Sequence, residues 1–171
     1  GFQVEVQSNI PIQSGCGSSS SIMVAWIYFL TQIVDNPMKW NLDKISRLAH
    51  AAEVLEFDEP GGMMDHYSSA FGGLIYLEIK PTISIKKINY PLGSFILGDS
   101  RESKDTLKIL SRCKNLRLKI IHMLKEKVAS FDLSSCHLDE IKSYLTNEEY
   151  YVMDGTLRNR ECLQVALKML N

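Results

Sequence analysis

The spacing of hydrophobic and polar positions predicts a mixed first half of the chain. Alternation at Phe2, Val4 and Val6 predicts a short strand. Apolar residues then occupy nearly every position from 22 to 30, which predicts a buried core helix over about 18–34 that ends before Asn36-Pro37. A second helix is expected over about 42–55, with Asn41 as its N-cap because a short polar side chain there can accept from the first turn.

The pattern beyond residue 60 becomes mostly helical toward the end of the chain. It predicts a short helix over 63–70, strands over 74–79, 83–88 and 94–97, one long helix or two between 107 and 124, and helices over about 138–145 and 156–170. Strands and helices therefore mix in the first 90 residues, and helices dominate afterwards. This change predicts a domain boundary near Tyr90-Pro91.

Composition narrows the possible partners and the compartment. The chain has 171 residues, a net charge of −1 and no basic block, so neither nucleic acid nor an anionic membrane is expected as a partner. The longest apolar run is far shorter than the ~20 residues that cross a bilayer. Four cysteines without a C-x-x-C pair indicate reduced thiols in a cytoplasmic protein. The chain opens on a strand pattern and closes on a helical one, which suggests a piece of a longer protein.

A glycine-serine run from residue 15 to 21 leads directly into the first helix. Glycines allow a tight turn and a close approach of the backbone to a ligand. The helix start behind them offers unpaired N–H groups and a positive dipole end, and the serine hydroxyls can hold phosphate oxygens or a metal ion. The run predicts a phosphate-binding loop; a plain connecting loop is the alternative.

Two carboxylates further along the chain complete the requirements of phosphoryl transfer. This reaction needs a cradle for the phosphates, a metal ion that neutralises them, and a group that orients or deprotonates the attacking hydroxyl. Glu53 together with a loop serine could hold Mg²⁺, and Asp65 could face the hydroxyl. The alternatives are a solvated charge for Glu53 and a helix cap for Asp65. His66 is expected to be a structural or pocket-wall residue.

These motifs, in this order, resemble the GHMP small-molecule kinases. Residues 11–20, PIQSGCGSSS, resemble the phosphate-binding motif P-x-x-x-G-L-G-S-S-A of that family. Glu53 followed by PGGMMDHYS at 60–68 resembles the galactokinase branch, in which a glutamate precedes G-I-M-D-Q. Cys16, Ser20 and His66 stand where the usual residues are Leu, Ala and Gln. The resemblance covers about residues 1–100, without the N-terminal sugar-binding motif or the glycine-rich C-terminal motif, so the chain is similar to the middle of such a kinase.

The resemblance implies an α+β fold. The GHMP-kinase-like chain would contain the second half of an N-terminal ribosomal-protein-like α/β domain, residues 1–90, followed by the start of a split β-α-β (ferredoxin-like) C-terminal domain, residues 91–171. It also implies a site: the loop residues would bind ATP, Ser19 (or Ser18 in its place) would bind Mg²⁺ with Glu53, and Asp65 would be the catalytic base or orienting carboxylate. Gly62 and Met64 would shape the substrate pocket beside Asp65. The loop residues in question are Gly15, Cys16, Gly17, Ser18, Ser19 and Ser20.

The leading hypothesis is an ATP-dependent sugar kinase whose partners are ATP and a small sugar. A sugar- and nucleotide-sensing homologue without turnover is one alternative. A mevalonate-type acid kinase is another, ranked lower because GGMMD at 61–65 departs from the pattern G-x-P-S-G-x-D expected there. The 171 residues alone are expected to be inactive. The sequence leaves open which sugar and hydroxyl would react, and the oligomeric state.

Overall fold

The computed structural model describes residues 1, 3–34, 39–79, 81–98 and 105–170, without the side chains of residues 106 and 107. Phe2, the Asn36-Pro37 break and residues 99–104 lie outside this description. The chain divides into two compact units, Gly1–Leu107 and Lys108–Asn171. This division falls after the boundary near Tyr90-Pro91 that the sequence predicts. The identification of the two parts as two kinase domains stays a prediction.

The residues described between 1 and 98 form three helices and a β-hairpin. The elements of this first unit are α1 (Ser18–Ile33), α2 (Leu42–His50) continued by a π-helical turn (Ala51–Leu55), α3 (Met64–Phe71), β1 (Leu74–Glu78) and β2 (Ser84–Ile88). The strands are antiparallel, with Leu74 opposite Ile88 and Glu78 opposite Ser84. The Asn41 side chain accepts the Lys44 N–H at 2.8 Å, which confirms the predicted N-cap. The mixture of helices with a small sheet is consistent with the α+β expectation.

The core of this unit lies between α1 and α2. Val24 and Ile27 of α1 are buried against Ile45 and Ala49 of α2. The expectation that α1 is buried on nearly all sides was wrong, because its described neighbours cover one face. Elsewhere around α1, large apolar residues are exposed, including Ile22, Trp26, Tyr28 and Leu30.

Two predicted strands are absent from the described residues. Residues 3–9 and 89–98 have no strand pairing, and the described sheet consists of β1 and β2 alone. Alternation of apolar and polar residues shows only which side chains could share a face. A strand also needs a hydrogen-bonded neighbour, and neither segment has one in the described part of the chain. Phe95 and Ile96, at 82% and 98% exposure, show how little covers the second segment.

All the regular secondary structure in the described residues of the second unit is helical. It contains most of α4 (Thr106–Lys127), then α5 (Leu138–Ile141), a 3₁₀ turn (Lys142–Tyr144) and α6 (Asn147–Leu170). The predicted helices are confirmed, although α6 begins well before residue 156. The buried core of this unit consists of Ile120, Leu124, Cys136, Ile141, Met153 and Leu157. The split β-α-β arrangement is not confirmed, since residues 108–170 contain no strand.

None of the helices in the described ranges combines the length and the apolar character that crossing a membrane requires.

Candidate active site

The glycine-serine loop ends in a left-handed turn at the start of α1. Gly17 is the N-cap of α1, with φ 66° and ψ 30°, and Gly15 has φ 77°. The Ser21 N–H donates to the Gly17 carbonyl at 2.9 Å, so the N–H groups of residues 18–20 precede the first intrahelical hydrogen bond. No acidic side chain lies in this first turn. Backbone donors and the positive end of the helix dipole are therefore placed where an anion could use them.

The start of α3 brings Asp65 against this loop. Asp65 lies in the first turn of α3 and is exposed. A Cβ built on Gly17 would lie 3.6 Å from the Cβ, the Cγ and the Oδ2 of Asp65. The side chain of Asp65 thus lies beside Gly17, the N-cap of α1, with room for little more than a methyl group between them. The fold brings together the two features that the sequence singled out, a candidate phosphate-binding loop and a candidate catalytic carboxylate.

Glu53, on the π-helical turn, reaches the same loop. The hydroxyls of Ser19 and Ser20 lie close enough to this carboxylate to stabilise its ionised form. The His66 Nε2 lies 2.7 Å from the Glu53 Oε2. Partial burial raises the pKa of Glu53, but the serine and histidine contacts outweigh this and hold the pKa below its ordinary value. Glu53 is therefore an ionised carboxylate at neutral pH, as a metal ligand must be.

His66 is the residue whose role the sequence did not specify. Its side chain is 1% exposed, and its Nδ1 is buried without a hydrogen-bond partner among the residues that the structure describes. The His50 ring meets it edge-on at 5.3 Å between centroids. The prediction of a structural or pocket-wall residue missed the contact with Glu53. That contact depends on how the π-helical turn and α3 pack together, and sequence spacing carries no signal for it.

A hydrogen bond between polar side chains also holds α3 against α2. The Tyr67 hydroxyl donates to the Asp43 Oδ1 at 2.7 Å, and Asp43 also pairs with Arg47 at 2.9 Å. Burial of the Tyr67 side chain, together with its bond to Asp43, raises the pKa of Tyr67 to about 12. On the other side, the Ser21 and Ser69 hydroxyls lie 3.0 Å apart and link α1 to α3. The position of Asp65 is therefore supported from two helices.

The glycines ahead of α3 differ in their surroundings. A Cβ on Gly61 would lie 3.1 Å from the Val54 Cγ2, so this backbone packs tightly against the π-helical turn. A Cβ on Gly62 would meet nothing within 4 Å. Met64 is 48% exposed. Gly62 and Met64 therefore lie in open surroundings next to Asp65, and their role in a substrate pocket stays a prediction.

The chemistry of the donor set fits Mg²⁺. Glu53 offers a carboxylate of lowered pKa, and Ser19 offers a hydroxyl beside it. Within the described ranges, His, Cys, Asp and Glu form no group of three or more that could hold a metal. Mg²⁺ commonly uses one or two carboxylates together with substrate phosphates and water. This site could therefore hold Mg²⁺ with the help of a nucleotide's phosphates.

Comparison with known proteins gives relatives over most of the chain. Residues 1–73 match the family model of the GHMP kinases N terminal domain. The mevalonate kinase of Pyrococcus abyssi is 25% identical over 93% of this chain and 46% of its own length. That of Archaeoglobus fulgidus is 25% identical over 92% of this chain and 52% of its own length. The chain thus spans about half the length of these curated relatives.

One relative has a sugar-phosphate substrate in its name. The D-glycero-alpha-D-manno-heptose 7-phosphate kinase of Campylobacter jejuni is 30% identical over 45% of this chain and 22% of its own length. No solved structure gives a significant match. The galactokinase branch is not confirmed, because the matching relatives are mainly named mevalonate kinase. The comparison supports the family expectation for the first part of the chain, because residues 1–73 match the model of the GHMP kinases N terminal domain.

Proposed function

We propose that this protein is an ATP-dependent kinase that phosphorylates a hydroxyl group of a small sugar. One observation carries the proposal: the Asp65 carboxyl group packs against Gly17, at the start of α1. A phosphoryl-transfer site needs an acceptor-orienting group next to the phosphate cradle. The contact between Asp65 and Gly17 meets this requirement with residues that are far apart in the sequence.

The loop and Glu53 would handle the nucleotide. The backbone of Gly15, Cys16, Gly17 and the following serines would surround the phosphates, since N–H groups at a helix start attract anions. Ser19, or Ser18 in its place, would hold Mg²⁺ with Glu53. When bound, Mg²⁺ neutralises charge on the transferring phosphoryl group. The Ser19 and Ser20 hydroxyls that stabilise the ionised Glu53 belong to the same loop, which supports this assignment.

Asp65 would act on the acceptor. Its side chain is exposed and lies beside the loop, so a substrate hydroxyl could approach it from solvent. The carboxylate would accept a hydrogen bond from this hydroxyl, orient it toward the phosphate, and receive its proton. Positioning and charge neutralisation are the main sources of rate enhancement in such a reaction.

The substrate class follows from the segment that contains Asp65. The sequence GGMMD at 61–65 resembles the sugar-kinase pattern, and the heptose-phosphate kinase relative favours the same class. Mevalonate is the second candidate, because relatives with that name align over 92–93% of the chain. A cytoplasmic protein is proposed in both cases, since the four cysteines are unpaired and ATP is the donor.

The test is a coupled ADP-release assay on the intact protein, with whatever sequence its gene encodes on either side of these residues. ATP and Mg²⁺ are supplied with a panel of monosaccharides, heptose 7-phosphate and mevalonate. Asp65→Asn is expected to lower the rate with the accepted substrate by about 10²- to 10⁴-fold. Asp58→Asn is the matched control: Asp58 is exposed, has φ 50°, and lies in a turn where asparagine is also tolerated.

The possible results separate the candidates. Turnover with one sugar that Asp65→Asn abolishes and Asp58→Asn preserves supports the proposal. Turnover with mevalonate alone would replace the sugar with the second candidate. Binding of nucleotide and sugar without ADP release would indicate the sensing homologue instead. The 171 residues assayed alone are expected to be inactive, and turnover by them would contradict that expectation.

A further inference from the structure

His66 and Glu53 form a pair that the proposed reaction does not by itself require. The Nε2 of His66 lies 2.7 Å from the Oε2 of Glu53. A carboxylate of lowered pKa can only accept, so the imidazole N–H donates. The His66 side chain is 1% exposed and that of Glu53 is 22% exposed. The pair therefore joins a buried donor to a carboxylate whose remaining surface is open.

The surroundings of His66 leave its ring little freedom. His50, itself buried, meets the ring edge-on, which limits rotation of the imidazole. The backbone of His66 lies in α3, which the bonds of Tyr67 to Asp43 and of Ser69 to Ser21 fasten to α2 and α1. A donor held in this way fixes the carboxylate that it contacts, because a short hydrogen bond from a rigid group restricts rotation of the acceptor.

Asp65 and His66 are neighbours at the start of α3, and they reach two different parts of the site. Asp65 packs on Gly17, and His66 bonds Glu53. The start of one short helix thus positions the proposed acceptor-orienting group directly and the proposed metal ligand indirectly. Groups behind a metal ligand that orient it often contribute 10- to 100-fold to metal affinity.

We infer that His66 is a positioning residue that orients Glu53 toward the Mg²⁺ of the bound nucleotide. The inference rests on the proposed function, because it needs Glu53 as the metal ligand. It makes His66 important for the affinity for MgATP and unimportant for the affinity for metal-free ATP. A purely structural histidine would affect both affinities alike.

The test compares two substitutions of similar length in the intact protein. His66→Gln keeps an N–H donor, whereas His66→Met has none. Calorimetric titrations with MgATP, and with ATP in the presence of a chelator, give the two affinities without any turnover. His66→Met is expected to weaken MgATP binding by about 10-fold and to leave the binding of metal-free ATP unchanged, with His66→Gln close to wild type. In a Glu53→Gln background, His66→Met is expected to have no further effect.

The outcomes distinguish a failure of this inference from a failure of the proposed function on which it rests. Equal binding of MgATP by wild type and His66→Met would overturn the role of His66 alone. A wild-type protein that binds MgATP no better than metal-free ATP would overturn the metal role of Glu53, and the inference with it. If His66→Met does not fold, ¹⁵N-histidine NMR of the wild type replaces it. The Nε2–H signal of His66 should then shift with MgATP but not with metal-free ATP, and identical responses would overturn the inference.

Discussion

Gly17→Ala tests whether the turn at the start of α1 holds the loop against Asp65. Gly17 has φ 66° and ψ 30°, the left-handed conformation that disfavours residues with a Cβ. An alanine there costs roughly 1–2 kcal/mol in the native state, and part of that is offset because alanine also restricts the unfolded chain. The new Cβ would lie 3.6 Å from Asp65, an ordinary van der Waals contact, so no clash adds to the cost. The expected net destabilisation is about 1 kcal/mol.

Gly155→Ala is the matched control because it makes the same chemical change in a permissive place. Gly155 is exposed within α6, and a Cβ there would meet nothing within 4 Å. Alanine in a helix interior is favoured over glycine by about 0.5–1 kcal/mol. The two glycine-to-alanine substitutions are therefore expected to change stability in opposite directions.

Hydrogen exchange of the intact protein, followed by mass spectrometry, measures both effects locally. Gly17→Ala should speed exchange of the α1 amides by about fivefold, and Gly155→Ala should slow exchange of the α6 amides. Because the substitution also shifts the loop relative to Asp65, kcat/KM for ATP should fall by about 10- to 100-fold with Gly17→Ala. Unchanged α1 exchange together with an unchanged kcat/KM would refute the reasoning from the left-handed turn.

Two further predictions concern the hydrogen bond between Tyr67 and Asp43 and the glycine-serine loop. Tyr67→Phe should destabilise the protein by about 1–2 kcal/mol, because it removes a partly buried hydrogen bond to an ionised Asp43. The pKa of Tyr67 in the folded protein is about 12, against an ordinary 10.0, so the wild type should lose stability as the pH rises from 10 to about 12. Denaturation at a series of pH values measures this loss. The same loss in Tyr67→Phe would contradict the prediction. Cys16 is exposed in the loop, so MgATP at about ten times its Kd should slow its alkylation by about tenfold, as followed by peptide mass spectrometry. Cys113 and Cys162 are also exposed and serve as internal controls, and equal slowing at all three cysteines would argue against nucleotide binding at the loop.

Local sequence signals predicted most of the helices and both strands of the hairpin, but not their pairing. The N-cap at Asn41 follows from a polar side chain that accepts from its own first turn, and β2 follows from alternation of apolar and polar residues. The same signals failed for segments that form a strand only when a neighbouring strand is present to pair with them. Strands were predicted at the start of the chain and over 94–97, yet in the described part of the chain these segments have no neighbouring strand to pair with.

The pattern of apolar residues also did not determine which side chains of α1 are buried. The residues of α1 are apolar on nearly all sides of the helix, and this pattern predicted a buried core helix. The structure buries Val24 and Ile27 together with two polar residues, Ser20 and Thr31, and leaves Trp26 partly exposed. Which face is covered depends on where α2 and α3 pack, and the residues of α1 alone do not encode that.

The sequence by itself determined which chemical groups the site could use: the glycine-serine loop, Glu53 and Asp65, whose types and order match a phosphoryl-transfer site. Only the tertiary structure decided how these groups meet. It placed Asp65 over Gly17, and it set the buried His66 against Glu53. The physical reason is that residue type is a local property, whereas a 2.7 Å contact between side chains on separate helical segments depends on the packing that brings those segments together.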